Sequence, residues 1–341
     1  MKLVIDDKIP FIKGLPESLG FETMYLPGAA IRAVDVRDAD ALIVRTRTKC
    51  DETLLSGSRV RFIATATIGY DHLDTDYLHR EGISWTNCPG CNASSVGQYV
   101  SSLLLVLERL GKLDLARTTV GIVGVGNVGT EVEKAVRALD CHVLRNDPPR
   151  AAREGNDSFV PLDRIAKEAD VITFHVPLTF DGPCPTHYLG NADFFESLQR
   201  NPIVINSSRG GVVDEKALLK ALDKGLVSDA VIDTWENEPH ISQKLLQRVV
   251  VGTPHIAGYS ADGKANATRM ALTAVCRFFG IEPRFSVEPP SLPADFIPSD
   301  DAATLALQLY DPRHDSNRLK EHPELFESLR GNYPLRRERV G

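Results

Sequence analysis

The sequence predicts an α/β protein built of two Rossmann-like, doubly wound parallel-sheet domains, one inserted in the other, followed by a small C-terminal region. Three observations carry that expectation. Short runs rich in Ile and Val recur along the chain, separated by connections long enough for crossover helices, which is the pattern of buried parallel strands. A glycine fingerprint, Gly124-Val-Gly126-Asn-Val-Gly129, lies between one such run and a helical segment. Beyond about Pro283 the chain turns proline-rich and then charged, a shift that marks a separate terminal region.

In chain order, KLVID, ALIVRT, RFIATAT and GISWTN read as strands of the first domain. From Asn92 the pattern changes: SSVGQYVSSLLLVLERLGKL has apolar residues at helical spacing and closes on Arg, Gly and Lys, which predicts a long helix with a stop signal. Six further runs follow, TVGIVGVG, CHVLRND, ADVITFHVP, PIVINSS, DAVIDTW and RVVVGTPH, and right-handed crossovers between them make a second doubly wound sheet. After His255, SADGKANATRMALTAVCRFFG reads as a helix returning to the first domain. The expected divisions are 1–92 with 258–287, then 93–257, then 288–341. The last is too short for a large core of its own and is expected to pack on something else, a second subunit being one choice.

Composition narrows the function. With 341 residues, 43% hydrophobic and 25% charged, the chain has the make-up of an ordinary globular protein, which excludes disorder. A formal charge of −7 argues against a general nucleic-acid surface, which needs clustered Lys and Arg, while leaving room for a local anion site. The start MKLVIDDKIPF lacks a signal-peptide core, and no window reaches the roughly 18 apolar residues of a membrane span, so a cytoplasmic protein without membrane contact is expected. Six scattered cysteines fit a reducing compartment. Cys88-Pro-Gly-Cys91 has the spacing of a zinc or redox half-site, but no second Cys or His pair completes it. The expectation is a turn into the following helix, with Asn92 as its cap and no metal.

The fingerprint has a full context. Glycines let a backbone approach a pyrophosphate, the helix start favours its charge, and Asp147, some 20 residues on at the end of the next strand, can accept from ribose hydroxyls. Dinucleotide binding is therefore expected at Gly124, Gly126, Asn127, Val128 and Gly129. The negative charge of Asp147 would repel a 2′-phosphate, which favours NAD over NADP, although Arg145 and Arg150 flank it. Arg209, Glu238 and His255 each fall at the carboxyl end of a later strand, where open α/β sheets bind ligands. An acid beside an imidazole raises its basicity and fixes its tautomer, and an arginine holds a carboxylate or polarises a carbonyl. Those are the parts needed to take a proton from a hydroxyl while a hydride leaves the same carbon.

The order GVGNVG, SSRGGVVDE, DTWENEP, TPHIAGYS resembles that of the D-isomer-specific 2-hydroxyacid dehydrogenases. Further matches to a branch of that family acting on a phosphorylated substrate are VRTRTK (44–49), TATIGYDHLD (65–74), PGCNA (89–93), RNDPPR (145–150), FHVPLTFDGPCPTH (174–187), HIAGYS (255–260) and NYPLRRE (332–338). The resemblance implies oxidation at C2 of a small phosphorylated 2-hydroxy acid, with His255 as acid/base, Glu238 as its partner and Arg209 as substrate clamp. It places Thr46, Thr67 and Tyr259 against substrate, and Asp147, Val176, Asp233 and Gly258 against NAD. It makes 1–92 with 258–287 the substrate domain, 93–257 the NAD domain, and 288–341 a homodimerisation region. Thr46 stands where the enterobacterial version has Ser, and Val176 where it has Thr; those versions also continue well past the NYxxRRE segment.

For the phosphate, Arg45, Arg47 and Lys49 lie together at a strand end, though alternation along a strand lets only part of the cluster face one site. Arg336 and Arg337 are a second candidate, if the tail crosses to a partner's site. Glycerate or phosphoglycerate oxidation, and a non-catalytic NAD-sensing protein, are the competing readings.

Overall fold

The computed structural model of the chain describes residues 1–155 and 158–340. It divides into two compact units, Met1–Asn92 with Ala261–Ser291, and Ala93–Ser260 with Leu292–Gly341. The returning helix spans Ala261–Phe278, so the chain re-enters the first unit three residues later than the sequence reading placed it. Among the described residues no helix is long and apolar enough to cross a membrane.

The first unit holds a parallel sheet of five strands in the order β2-β1-β3-β4-β5, with β1 Lys2–Asp6, β2 Glu22–Leu26, β3 Ala41–Val44, β4 Phe62–Thr65 and β5 Ser84–Thr86. Every residue of β3 and β4 is buried, because helices cover both faces, and such strands read as plain apolar runs. β2 is the strand the sequence reading missed. It sits at the sheet edge, its sequence ETMYL has no fully buried position, and its register comes from pairing with β1 rather than from any apolar pattern. Ala267, Ala271, Leu272 and Val275 of the returning helix share a core with Ile43, Phe62 and both cysteines of the CPGC segment. Burial pushes the Cys88 thiol up to about 12 and the Cys91 thiol to about 11, a packing environment rather than a reactive one. The expected turn is present, Cys91 N–H donating to the Cys88 carbonyl at 3.3 Å. The expected cap is not made through the Asn92 side-chain oxygen, which is buried without a partner.

The second unit holds six parallel strands in the order β11-β10-β9-β8-β6-β7: β6 Thr119–Val123, β7 His142–Asn146, β8 Val171–Phe174, β9 Ile203–Asn206, β10 Asp229–Ile232 and β11 Val251–Gly252. β6 pairs with β7 on one side and β8 on the other, so the chain reverses its winding there. Carboxyl ends at such a switch point are where this architecture binds ligands. The helix Ala93–Arg109 buries most of its length, and the helix Asn127–Arg137 packs beside it.

The C-terminal segment clusters with this second unit. Its helices are Ala302–Leu309, Pro312–Glu321 and Phe326–Gly331; Leu307 and Tyr310 join one core of the unit, Leu319 and Phe326 the other. Arg336 is 8% exposed, and its guanidinium donates to the carbonyls of Ile256, Ala257 and Ser95 and to Gln98 Oε1 while lying 4.0 Å from the Tyr310 ring centroid. That corrects the idea that Arg336 completes a partner's phosphate site: its donors are spent on acceptors of its own chain.

Candidate active site

Each fingerprint glycine has its own reason. Gly124 has φ of +89°, and a Cβ there would lie 2.6 Å from the His175 carbonyl oxygen; a Cβ on Gly129 would lie 2.0 Å from that of Gly124. Those two let strand, turn and helix close on one another. Gly126 differs: a Cβ there meets nothing within 4 Å, so its bareness keeps space open in front of the helix Asn127–Arg137. The first-turn amides of that helix, Asn127 to Gly129, have no intrahelical acceptor, which suits an anion.

Beside this turn lies a cavity of about 530 Å³, lined by Gly124, Gly126, Asp147, Pro148, His175 and Val176 among others. Asp147 Oδ2 accepts from the Val125 amide at 2.8 Å, and Oδ1 caps the helix Pro148–Glu154 through the Arg150 amide at 2.9 Å. Of the flanking arginines, Arg145 pairs with Glu133 at 3.4 Å, whereas Arg150 pairs with Glu154 at 2.7 Å and also donates to the Val125 carbonyl within the glycine turn. Glycine cradle, helix start and cavity-lining acid fit a dinucleotide.

His255 and Glu238 come together. Nδ1 of His255 lies 2.8 Å from Glu238 Oε2 and 3.1 Å from Oε1. The carboxylate only accepts, so Nδ1 carries the proton and Nε2 is left as the acceptor, the tautomer a general base requires. Burial works to raise the Glu238 carboxyl, but His255, the Trp235 amide and Arg330 outweigh it and hold it below the usual carboxylate range. His255 has φ of +57°, a strained conformation for a residue with a Cβ. Asp233 imposes it. Its carbonyl accepts from the His255 amide at 2.8 Å, while its carboxylate takes Thr253 Oγ1 at 2.6 Å, Ile256 N at 2.8 Å and Ala257 N at 3.0 Å. Asp233, expected against NAD, is 1% exposed and serves here as the clamp of the histidine loop, with Gly258 in the same turn.

The Arg209 loop reaches the Glu238 loop through backbone. A Cβ on Gly210 would stand 1.9 Å from the Trp235 carbonyl oxygen, so only glycine permits this approach. Buried Asn206 ties the loops, its amide donating to the Arg209 carbonyl at 3.0 Å and to that of Thr234 at 3.4 Å. Arg209 itself is exposed, with Nη1 on the Ser208 carbonyl at 2.7 Å.

Thr46 and Thr67 belong to the first unit. Thr46 is exposed; the Thr67 hydroxyl lies 2.6 Å from that of Thr65, which contacts His72 Nε2 at 3.0 Å. Of the neighbouring cations, Arg45 grips buried Asp6 through two contacts, at 3.1 and 3.2 Å, and Lys49 pairs with Asp51 at 3.0 Å. Val176 lines the cavity. Tyr259 packs edge-on against Tyr333 at 6.1 Å and hydrogen-bonds to Arg330.

Three supporting residues escaped the sequence reading: Asn206, Arg330 and Glu215. Glu215 Oε1 accepts from the Glu236 amide at 2.7 Å, and Glu236 Oε1 accepts from the Glu215 amide at 3.1 Å, bracing the loop that carries Glu238. The run VVDE held the signal for Glu215, an acid one residue after a helix cap, but its burial comes only from the fold. Burial and the charge of Glu236 push its carboxyl from 4.5 up to about 7. A carboxyl raised on folding stabilises fully below pH 4.5 and loses that contribution as pH rises to about 7. Glu215→Gln is expected to flatten this loss, on the order of 2–3 kcal/mol, in denaturant titrations between pH 4.5 and 8; an unchanged slope would count against it.

Residues 106–257 match the family described as D-isomer specific 2-hydroxyacid dehydrogenase, NAD binding domain. The chain is 54% identical over 338 residues to the erythronate-4-phosphate dehydrogenase of Bacteroides thetaiotaomicron, covering 99% of this chain and 97% of that one. It is 41% identical to its namesake in Escherichia coli, covering 99% and 92%. Among solved structures, D-lactate dehydrogenase from Aquifex aeolicus, complexed with NAD and lactic acid, is 26% identical at a TM-score of 0.57, covering 82% of this chain and 96% of that one.

Proposed function

Because the chain belongs to the erythronate-4-phosphate dehydrogenases, within the D-isomer-specific 2-hydroxyacid dehydrogenases, we propose that it oxidises 4-phospho-D-erythronate to 2-oxo-3-hydroxy-4-phosphobutanoate in vitamin B6 synthesis. It is an NAD-dependent oxidoreductase. The observation that carries the catalytic assignment is the His255–Glu238 pair, with Nδ1 committed to the carboxylate and Nε2 left to accept a proton.

NAD, when bound, supplies the hydride acceptor. Gly124, Gly126 and the amides of Asn127, Val128 and Gly129 would hold its pyrophosphate, Asp147 its adenosine ribose, and Val176, Asp233 and Gly258 would line the rest, Val176 through backbone. His255 Nε2 takes the C2 hydroxyl proton, and Glu238 stabilises the resulting imidazolium. Arg209 holds the substrate carboxylate and polarises the forming C2 carbonyl. Thr46, Thr67 and Tyr259 position the hydroxyls. For the phosphate, Arg47 is the favoured member of its cluster, since Arg45 and Lys49 already face carboxylates. A homodimer through residues 288–341 and a cytoplasmic location complete the proposal.

The test is turnover. Purified protein given NAD, 4-phospho-D-erythronate and a 2-oxo acid as electron sink should consume the phosphorylated acid in preference to D-glycerate and 3-phosphoglycerate. Preference for either of the latter, or no turnover with any, as an NAD sensor would give, overturns the assignment. Asp147→Ser should raise NADP use relative to NAD, because the charge opposing a 2′-phosphate is gone; an unchanged ratio would contradict its role.

A further inference from the structure

The last helix brings a third charge to the acid/base pair. Arg330, in the helix Phe326–Gly331, directs Nη1 at Glu238 Oε2 from 3.5 Å, the same oxygen that His255 Nδ1 approaches at 2.8 Å. Its side chain is 31% exposed and that of Glu238 17%, so the contact is only partly screened by water. The segment is fixed on both flanks. Phe326 is 1% exposed in the core, and Arg336 bonds the carbonyls of Ile256 and Ala257, the two residues after His255. Tyr259, four residues after His255 in the same loop, accepts a hydrogen bond from Arg330. One carboxylate therefore serves two cations, one permanent and one that comes and goes with the proton.

We propose that Arg330 is a positioning residue for the proton transfer, sharing the Glu238 carboxylate so that His255 stays neutral enough to act as base. This rests on the roles proposed for His255 and Glu238. The physics is a competition. A carboxylate facing imidazole alone favours the imidazolium, whereas a fixed guanidinium on the same oxygen spends part of that attraction and repels a second positive charge. The other charged and titratable groups around the array are Asp233 behind His255, Glu215 and Glu236 beneath the Glu238 loop, and Tyr259 and Glu327 beside Arg330. Arg330 is the cation among the described residues in direct contact with the shared carboxylate besides His255 itself.

The experiment uses full-length protein carrying Arg330→Met, which keeps the apolar stem and removes the charge, and Arg330→Lys, which restores a cation. Oxidation requires neutral His255, so R330M should move the acidic limb of the kcat/KM profile to higher pH by roughly half to one unit, and R330K should return it. The imidazole of His255, followed by NMR and assigned with His255→Gln, should titrate at correspondingly higher pH in R330M. Limb and imidazole midpoint both unchanged in R330M overturn the proposal. Should R330M not fold by circular dichroism, R330K against Arg330→Gln gives the same comparison, Gln keeping a hydrogen bond without charge. Retained turnover in His255→Gln would sink the functional reading instead, while leaving the imidazole shift to judge Arg330 on its own.

Discussion

Replacing His255 with Ala is expected to lower kcat by about 10²–10⁴-fold while NAD still binds, because the variant loses the proton acceptor and nothing of the glycine cradle. The separation is built into the fold. The cradle lies at the carboxyl end of β6, whereas His255 follows β11 at the far side of the same sheet. Two measurements check it: pre-steady-state NADH formation for the chemical step, and quenching of protein fluorescence by NADH for binding. Loss of NADH binding in His255→Ala would show the histidine to be part of the cofactor site instead. Glu238→Gln should also slow the step, since an amide can present its carbonyl to Nδ1 but cannot stabilise the imidazolium by charge.

The second large effect separates two glycines of one motif. Gly126→Val should leave the protein folded and abolish detectable NAD binding, because its side chain enters open space that a pyrophosphate would occupy. Gly129→Ala should act on the fold itself: its Cβ would stand 2.0 Å from the Gly124 carbonyl oxygen, which is backbone and cannot swing aside. The expected cost is about 3 kcal/mol or more, read as a lowered denaturation midpoint. Equal destabilisation by both substitutions would mean that Gly126 is needed for packing and not for a ligand.

The parts of this molecule legible in its sequence are those whose signal is local. β3, β4 and the inner strands of the second sheet read as apolar runs because both their faces are covered, whereas β7, HVLRN at the sheet edge, is only partly buried; GVGNVG between β6 and its helix carries its own structural context. His255 and Glu238 could be nominated for the same reason, each sitting just past a strand end. β2 could not: a half-covered edge strand such as ETMYL has no periodicity of its own and takes its place from β1. Arg330 was out of reach in a different way. It lies 92 positions from Glu238, and only the packing of Phe326 and the burial of Arg336 bring it there.

The basic residues show how position in the sequence misleads about charge. Arg45, Arg336 and Lys49 stand out in sequence as anion ligands, yet Arg45 serves buried Asp6, Lys49 serves Asp51, and Arg336 has become a staple between tail and histidine loop. A guanidinium offers five donors, so it can satisfy several carbonyls at once where a chain end must be fastened. Asp233 makes the complementary point. The resemblance places it against NAD, while its partners Thr253, Ile256 and Ala257 show that the acid fastens the histidine loop.

The most direct test follows the hydrogen on C2. With 4-phospho-D-erythronate deuterated at that carbon, the protein should deliver the label to the nicotinamide ring of NADH, detected by mass spectrometry, with a slowed chemical step. Label retained in the acid, released to water, or absent from NADH formed in the reaction would contradict hydride transfer from C2 and with it the assignment of this site.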